Sequence, residues 1–214
     1  MTDQQSVIFV IDDDLAVREA LDSLFQSTGL NARFFESTDA FLQSERPDVP
    51  GCLVLDVRLP GLSGLDFQRE MIKSGIHLPI IFITGHGDVP MSVRAMKAGA
   101  TEFLTKPFQD QDLLDAIHAG FEKDMVRRRK ASDIAALQER SSTLTSRERE
   151  IMAFVVAGQL NKQIAAMLGL SEITVKVHRG QLMRKMQAKS VVDLVRMADQ
   201  LSASFDNQQS FRVG

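Results

Sequence analysis

The 214-residue chain has no tryptophan and no tyrosine, and its one cysteine, Cys52, has no second thiol to pair with. A lone cysteine excludes a disulfide framework and fits a reducing compartment. Without Trp or Tyr to stack on unpaired bases, binding to RNA or to single strands is disfavoured. No apolar run reaches the roughly 18 residues that a membrane span needs. The polar start MTDQQS lacks the charged and apolar regions of a signal peptide. Internal repeats are absent, and so is low-complexity sequence before the polar end of the chain. A soluble, cytoplasmic protein with no membrane partner is expected, long enough for two small domains.

The charge that is present is unevenly placed. Residues 1–123 hold 10 Lys and Arg against 19 Asp and Glu, a balance of −9, whereas residues 124–214 hold 15 against 9, a balance of +6. An acidic half joined to a basic half couples metal or phosphate chemistry to something that meets a polyanion.

In the acidic half, short runs rich in Val, Ile and Phe alternate with stretches of helical period. Strands are predicted at 7–11, 32–35, 51–55, 79–83 and 101–104, each followed by a helix. Such alternation implies an α/β doubly wound, parallel five-stranded sheet covered on both faces. Ligands of these sheets collect outside the carboxyl ends of the strands.

The residues at those ends are Asp12, Asp13 and Asp14, then Asp56, Thr84, and Lys106 followed by Pro107. Asp56 ends the apolar run Leu53, Val54 and Leu55, and a carboxylate there is costly unless it is paired or bound to a metal. Asp14 is expected as a helix N-cap. Three carboxylates gathered at one edge repel unless a hard divalent cation holds them, and Mg²⁺ suits an oxygen-rich site that keeps waters for a phosphate to replace. A hydroxyl and an ammonium opposite supply a hydrogen bond and a positive charge for phosphoryl oxygens. The set fits an aspartate that takes up a phosphoryl group as nucleophile. His86, between two glycines, has no His or Cys companion nearby and is read as a loop residue or a partner contact.

With FVIDDD, LVLDVRLPGLSG and ITGHGDVPMSVRAMKAGATEFLTKPF in that order, residues 1–123 resemble the flavodoxin-like receiver domain of two-component response regulators, in particular the FixJ type. The resemblance implies that Asp56 is the phosphoacceptor, and that Asp13, Asp56 and the backbone carbonyl of Arg58 bind Mg²⁺, with Asp12 acting through a metal-bound water. It further implies that Thr84 and Lys106 contact the phosphoryl group, that the Lys106–Pro107 bond is cis, and that Phe103 turns inward on activation. The donor it implies is a sensor histidine kinase, and the outcome is a homodimer formed on phosphorylation. Val89, Val93, Met96 and Lys97 are candidate receiver contacts, although an apolar stripe at that spacing is more often core.

Residues 124–142 contain no Pro or Gly and predict a helical linker. The basic run 127–130 within it is read as a solvated face. From 143 onward four short helices are predicted, with Ser171 capping the third and Ser190 the fourth, and the polar tail begins at 206. The second and third form a helix-turn-helix around Gly169. On a wheel of about 100° per residue, Val175, His178, Leu182 and Met186 share an arc and face the core. Ile173, Lys176, Val177, Gly180 and Arg184 share another, and this small, basic and apolar mixture suits a major groove.

Residues 143–205 are expected to form one domain, and nearly all of residues 143–200 resemble the LuxR-type or NarL-type helix-turn-helix domain. That likeness implies base contacts at Lys176, Val177 and Gly180, and DNA-backbone contacts at Thr174, Arg179 and Lys162. It also implies pairing through Val191, Leu194, Val195 and Ala198 of the fourth helix, double-stranded promoter DNA as a partner, and RNA polymerase as a further candidate. Gly180 lacks the basic side chain of several relatives, and a mid-helix glycine costs about 1 kcal/mol relative to alanine, which suggests close approach to DNA or to a neighbouring helix. Two rival functions share parts of this pattern: a constitutive DNA-binding regulator with a phosphorylation-independent receiver, and a Mg²⁺-dependent aspartyl phosphatase. The second often wants an acid where Arg58 stands.

Overall fold

The computed structural model describes residues 6–85 and 87–210, with side chains through Ser204. His86 and residues 211–214 lie outside the described residues. The chain divides into two compact units, 1–128 and 129–214.

In the first unit the strands are β1 (Val7–Ile11), β2 (Asn31–Phe35), β3 (Gly51–Asp56), β4 (Ile80–Thr84) and β5 (Glu102–Thr105). They form one parallel sheet in the order β2-β1-β3-β4-β5, with Val10 beside Val54 and Asp56 beside Ile83. The connecting helices are α1 (Leu15–Thr28), α2 (Thr38–Gln43), α3 (Gly64–Lys73), α4 (Val89–Lys97) and α5 (Asp110–Ser142), the last of which ends in the second unit. β1, β3 and β4 are buried almost throughout, whereas the edge strands β2 and β5 are partly exposed.

Side chains alternate across the pleat, so each central strand supplies two cores. Ile8, Val10, Cys52, Val54, Ile81 and Ile83 pack against Phe25 of α1 and Ile117 and Phe121 of α5. Phe9, Ile11, Leu53, Leu55 and Phe82 pack on the opposite side against Phe41, Phe67, Met71 and Ala95. Phe41 meets Phe9, Phe35 and Phe67 edge to face at 5.6, 5.5 and 6.0 Å. A fully buried phenylalanine stabilises the fold by about 2–3 kcal/mol and leaves no hydroxyl to satisfy.

Short polar side chains start the helices. Asp14 accepts from the Ala16 amide at 2.8 Å, and Ser37, Ser63 and Asp88 cap α2, α3 and α4 in the same way. These caps hold the loops that carry the strand-end residues.

The linker differs from its prediction at its start. Asp124 is fully buried; it accepts from the Gly51 amide at 3.1 Å and pairs with Arg127 and Arg128, each at 2.7 Å. Arg128 also pairs with Asp48. The first unit therefore extends to Arg128, beyond the predicted boundary at Lys123, and half of the basic run is neutralised within the fold instead of forming a solvated face.

The second unit holds α6 (Ser146–Val156), α7 (Asn161–Leu168), α8 (Glu172–Met186) and α9 (Val191–Ser210) around Leu137, Ile151, Val155, Ile164, Val175, Leu182, Met186 and Leu194. Thr145 and Glu148 form a reciprocal capping box at the start of α6. α7 ends at Gly169 in the left-handed conformation, and Ser171 then caps α8 through the Thr174 amide at 3.1 Å. α9 continues through residue 210, so the first residues of the predicted tail are helical; no Pro or Gly interrupts them, and extending a formed helix costs little.

Candidate functional site

At the carboxyl edge of the sheet, on either side of the point where the strand order reverses, β1 and β3 place Asp12 and Asp56 next to each other. Asp12, Asp13, Asp14, Asp56, Arg58, Thr84 and Lys106 all line one cleft of about 320 Å³. Asp56 and Thr84 are the last residues of β3 and β4 themselves, each one position inside its strand instead of after it. Asp12 and Thr84 are fully buried, Asp56 is nearly so, and Asp13 is exposed at the mouth.

Asp12 is held from three sides: Oδ1 accepts from the Asp14 amide at 3.0 Å, Oδ2 accepts from Lys106 Nζ at 2.7 Å, and its carbonyl accepts from Arg18 at 2.6 Å. The Lys106 ammonium also lies 4.0 Å from Asp56 Oδ2, so it faces both buried carboxylates. The Lys106 amide donates to the Thr84 carbonyl at 2.7 Å, and the Lys106–Pro107 bond is cis as predicted. Asp56 Oδ1 accepts from the Arg58 amide at 3.3 Å. Burial pushes the Asp56 carboxyl above the usual carboxylate range; Lys106 pulls it back and Asp12 pushes it up again.

Carboxylate oxygens of Asp12, Asp13 and Asp56 all lie within 4.8 Å of one another. Three hard oxygen donors at that spacing fit a Mg²⁺ ion, which takes one or two carboxylates and fills its remaining positions with water or phosphate.

Phe103 is half-buried and packs on Phe82 at 6.2 Å. Gly87 was missed in the sequence, where His86 drew attention. A Cβ at Gly87 would stand 2.9 Å from Phe103 Cε1, 2.9 Å from Thr105 Cγ2 and 3.1 Å from Thr84 Cγ2. The loop after β4 thus lies directly on the residues predicted to switch, a closeness that only the glycine pair around His86 could have signalled. Val89, Val93, Met96 and Lys97 all project outward from α4.

In the second unit the two arcs of α8 separate as the wheel predicts. Val175, Leu182 and Met186 are fully buried and His178 is half-buried, whereas Ile173, Lys176, Val177, Gly180 and Arg184 are exposed. Lys162 is exposed at the start of α7. Two of the predicted DNA-backbone contacts have partners inside the fold. Arg179 donates to Asn161 Oδ1 at 2.9 Å, which ties α8 to the first turn of α7, and the Thr174 hydroxyl lies 2.8 Å from that of Ser171. Asn161 was not singled out in the sequence, because the pair is 18 residues apart and no local pattern connects it.

Leu194 corrects the predicted pairing face. It is 0% exposed in the core of the second unit, in the same cluster as Ile151 and Val155 of α6, and it offers no surface to a second copy. Val191, Val195 and Ala198 remain half-exposed beside it.

Residues 8–118 match the response regulator receiver domain, and residues 142–198 match the bacterial regulatory proteins of the luxR family. Nodulation protein W of Bradyrhizobium diazoefficiens is 52% identical over 98% of this chain and 92% of its own length. Response regulator protein TodT of Pseudomonas putida is 48% identical over 96% of this chain and 91% of its own. The solved structure of the response regulator StyR is 45% identical, with a TM-score of 0.81 over 92% of this chain and 99% of that one. Neither the acidic cleft nor the exposed helix stands alone, therefore: the chain belongs to the two-component response regulators in which a receiver domain precedes a LuxR-family DNA-binding domain.

Proposed function

We propose that a sensor histidine kinase phosphorylates Asp56 and that this modification controls pairing of the protein and its sequence-specific binding to promoter DNA. The observation that carries the reading is the single cleft in which two buried carboxylates, two exposed ones, a buried hydroxyl and an ammonium converge.

An Asp56 oxygen attacks the phosphorus of the donor phosphohistidine. The new P–O bond forms as the P–N bond breaks, and the departing imidazole takes up a proton. Lys106, within reach of Asp12 and Asp56, neutralises charge gathering on the phosphoryl oxygens, and Thr84 supplies a hydroxyl to one of them. Asp13, Asp56 and the Arg58 carbonyl would hold Mg²⁺, with Asp12 acting through a bound water, and the ion would offset negative charge on the transferred group. The protein's own chemistry is limited to gaining and losing this group.

Phosphate need favour the active arrangement by only a few kcal/mol to change its population substantially. Gly87 stands against Phe103 and Thr84 two residues before α4 begins, so a movement of Thr84 is felt at Val89, Val93, Met96 and Lys97, the proposed receiver pairing face. Val191, Val195 and Ala198 pair the DNA-binding units over two half-sites. Lys176, Val177 and Gly180 face the bases, while Lys162, Thr174 and Arg179 face the DNA backbone; Arg179 keeps four N–H donors beyond the one given to Asn161. RNA polymerase is the proposed partner of the bound dimer.

Incubation with Mg²⁺ and a small phosphodonor tests the reading. Intact mass is expected to rise by one phosphoryl group, lost in Asp56→Asn, and duplex affinity is expected to rise with it and to fall steeply with salt. Full labelling of Asp56→Asn would falsify the assignment.

A further inference from the structure

Gly180 lies in the middle of α8, where glycine is disfavoured because it has the most backbone freedom to lose. Folds keep a mid-helix glycine where a neighbour would meet its Cβ. Gly120 of α5 is such a case, since a Cβ there would stand 2.9 Å from Cys52 Cβ. At Gly180, apart from the glycine, its two chain neighbours and the adjoining backbone of α8 itself, no heavy atom among the described residues lies within 4 Å of the missing Cβ, and the backbone is ordinary helix. The fold makes no demand for this glycine. A neighbouring helix, one of the two explanations for it, is thereby removed.

Its surroundings face outward. Val177, three positions before, is 54% exposed, and Ile173, one further turn back, is 77% exposed. Lys176 and Arg184, four positions to either side, are exposed cations on the same face. The result is a notch floored by backbone, walled by Val177 and flanked by positive charge.

On the reading that α8 enters the major groove, we propose that the Gly180 notch seats the 5-methyl group of a thymine, with Val177 against its side. The backbone N–H and C=O groups of the floor are already used inside the helix, so a base edge that presents a donor or an acceptor there would be left unsatisfied. The thymine methyl is the apolar group that the major groove displays, and it needs no partner. Any side chain at position 180 occupies the space of the methyl and holds the helix away from the bases. Gly180 is thus a specificity determinant that acts by what it leaves empty.

The test uses the full-length protein treated with Mg²⁺ and phosphodonor to enrich duplexes from a randomised pool. Thymines of the enriched half-site are then replaced one at a time by uracil, which removes only the methyl. At one position per half-site, wild type is expected to lose about fourfold in affinity, the value of one buried methyl. Gly180→Ala is expected to bind the thymine duplex more weakly, to show a thymine-to-uracil ratio near one, and to melt at a higher temperature than wild type. Equal wild-type affinity for thymine and uracil at every position, or an undiminished ratio in Gly180→Ala, overturns the notch. A lower melting temperature of Gly180→Ala overturns the premise that the fold is indifferent to this glycine. Failure to enrich any sequence from protein that has gained its phosphoryl group overturns the DNA-reading function itself.

Discussion

As the proposed phosphoacceptor, Asp56 combines two demands that conflict. A phosphoacceptor has to be reachable, yet the strand that aims it also removes it from water, and burial raises its proton affinity more than Lys106 lowers it. Because the folded-state pKa is raised, the ionised group destabilises the fold at neutral pH, and that destabilisation fades as pH falls through the folded pKa towards the usual carboxylate range. Asp56→Asn is therefore expected to melt above wild type at pH 7, with the difference closing on acidification; calorimetry across pH 4–7 checks both the sign and the convergence. Glu148 behaves oppositely. It is almost fully buried, and burial pushes its pKa up, but Lys185 at 2.6 Å and the Thr145 amide at 2.8 Å outweigh this and hold it below the usual range. Its contribution is present above the unfolded pKa and is lost as pH falls through the folded one. Lys185→Ala strands this carboxylate, and the surviving Thr145 bond and the partial exposure of Lys185 limit the expected cost to about 2 kcal/mol, measurable by urea unfolding. Cys52 does not join this chemistry, since burial pushes its thiol far up and Asp124 adds to the effect.

At the level of elements, the strands were legible to within one residue, because a parallel strand buried on both faces must be apolar throughout. VIFVI, GCLVL and PIIFI have few other uses in a soluble chain. The helix caps were legible too, since Asp14, Ser171 and Ser190 act on amides two or three residues away. The end of the first unit was not legible. Asp124 acts on Gly51 and Asp48 is joined to Arg128, separations of 73 and 80 residues. Periodicity reports only the next turn, so α5 was correctly expected to be helical while its anchorage went unseen. Asp124→Ala leaves the Gly51 amide without its acceptor, takes the Asp124 counter-ion from Arg127 and leaves Arg128 paired with Asp48. The arginines regain water, so the expected loss is about 2 kcal/mol, chiefly from the amide, in unfolding of the first unit. α9 teaches the same lesson from its surface: an i, i+3, i+4 stripe identifies an apolar face but not its partner, and Leu194 turned inward while Val191, Val195 and Ala198 stayed partly outside.

For the whole molecule, the proposed pairing would use surfaces that one copy leaves exposed. Val89, Val93 and Met96 are 76, 44 and 44% exposed along α4, an apolar strip continued by the cation Lys97. Exposed strips of this kind mark interaction sites. Met96→Glu is expected to gain the phosphoryl group as wild type does yet to remain monomeric, as sedimentation after phosphodonor treatment would show; dimers of undiminished strength would place the pairing face elsewhere. Charge asymmetry works at this scale as well. The acidic half repels a polyanion and the basic half attracts it, so the +6 of residues 124–214 supports duplex binding at any sequence.

The sequence by itself determined the parallel sheet, the helix-turn-helix, the set of residues at the strand ends and the outward arc of α8, because each follows from a period of 2 or 3.6 and from side chains acting on near neighbours. Only the tertiary structure decided which carboxylates meet Lys106, that Gly87 lies on Phe103 and Thr84, that Asp124 anchors α5, and that Gly180 has nothing over it among the described residues. Those are distances between atoms far apart along the chain. A linear pattern carries no term for them until the sheet closes and the helices pack.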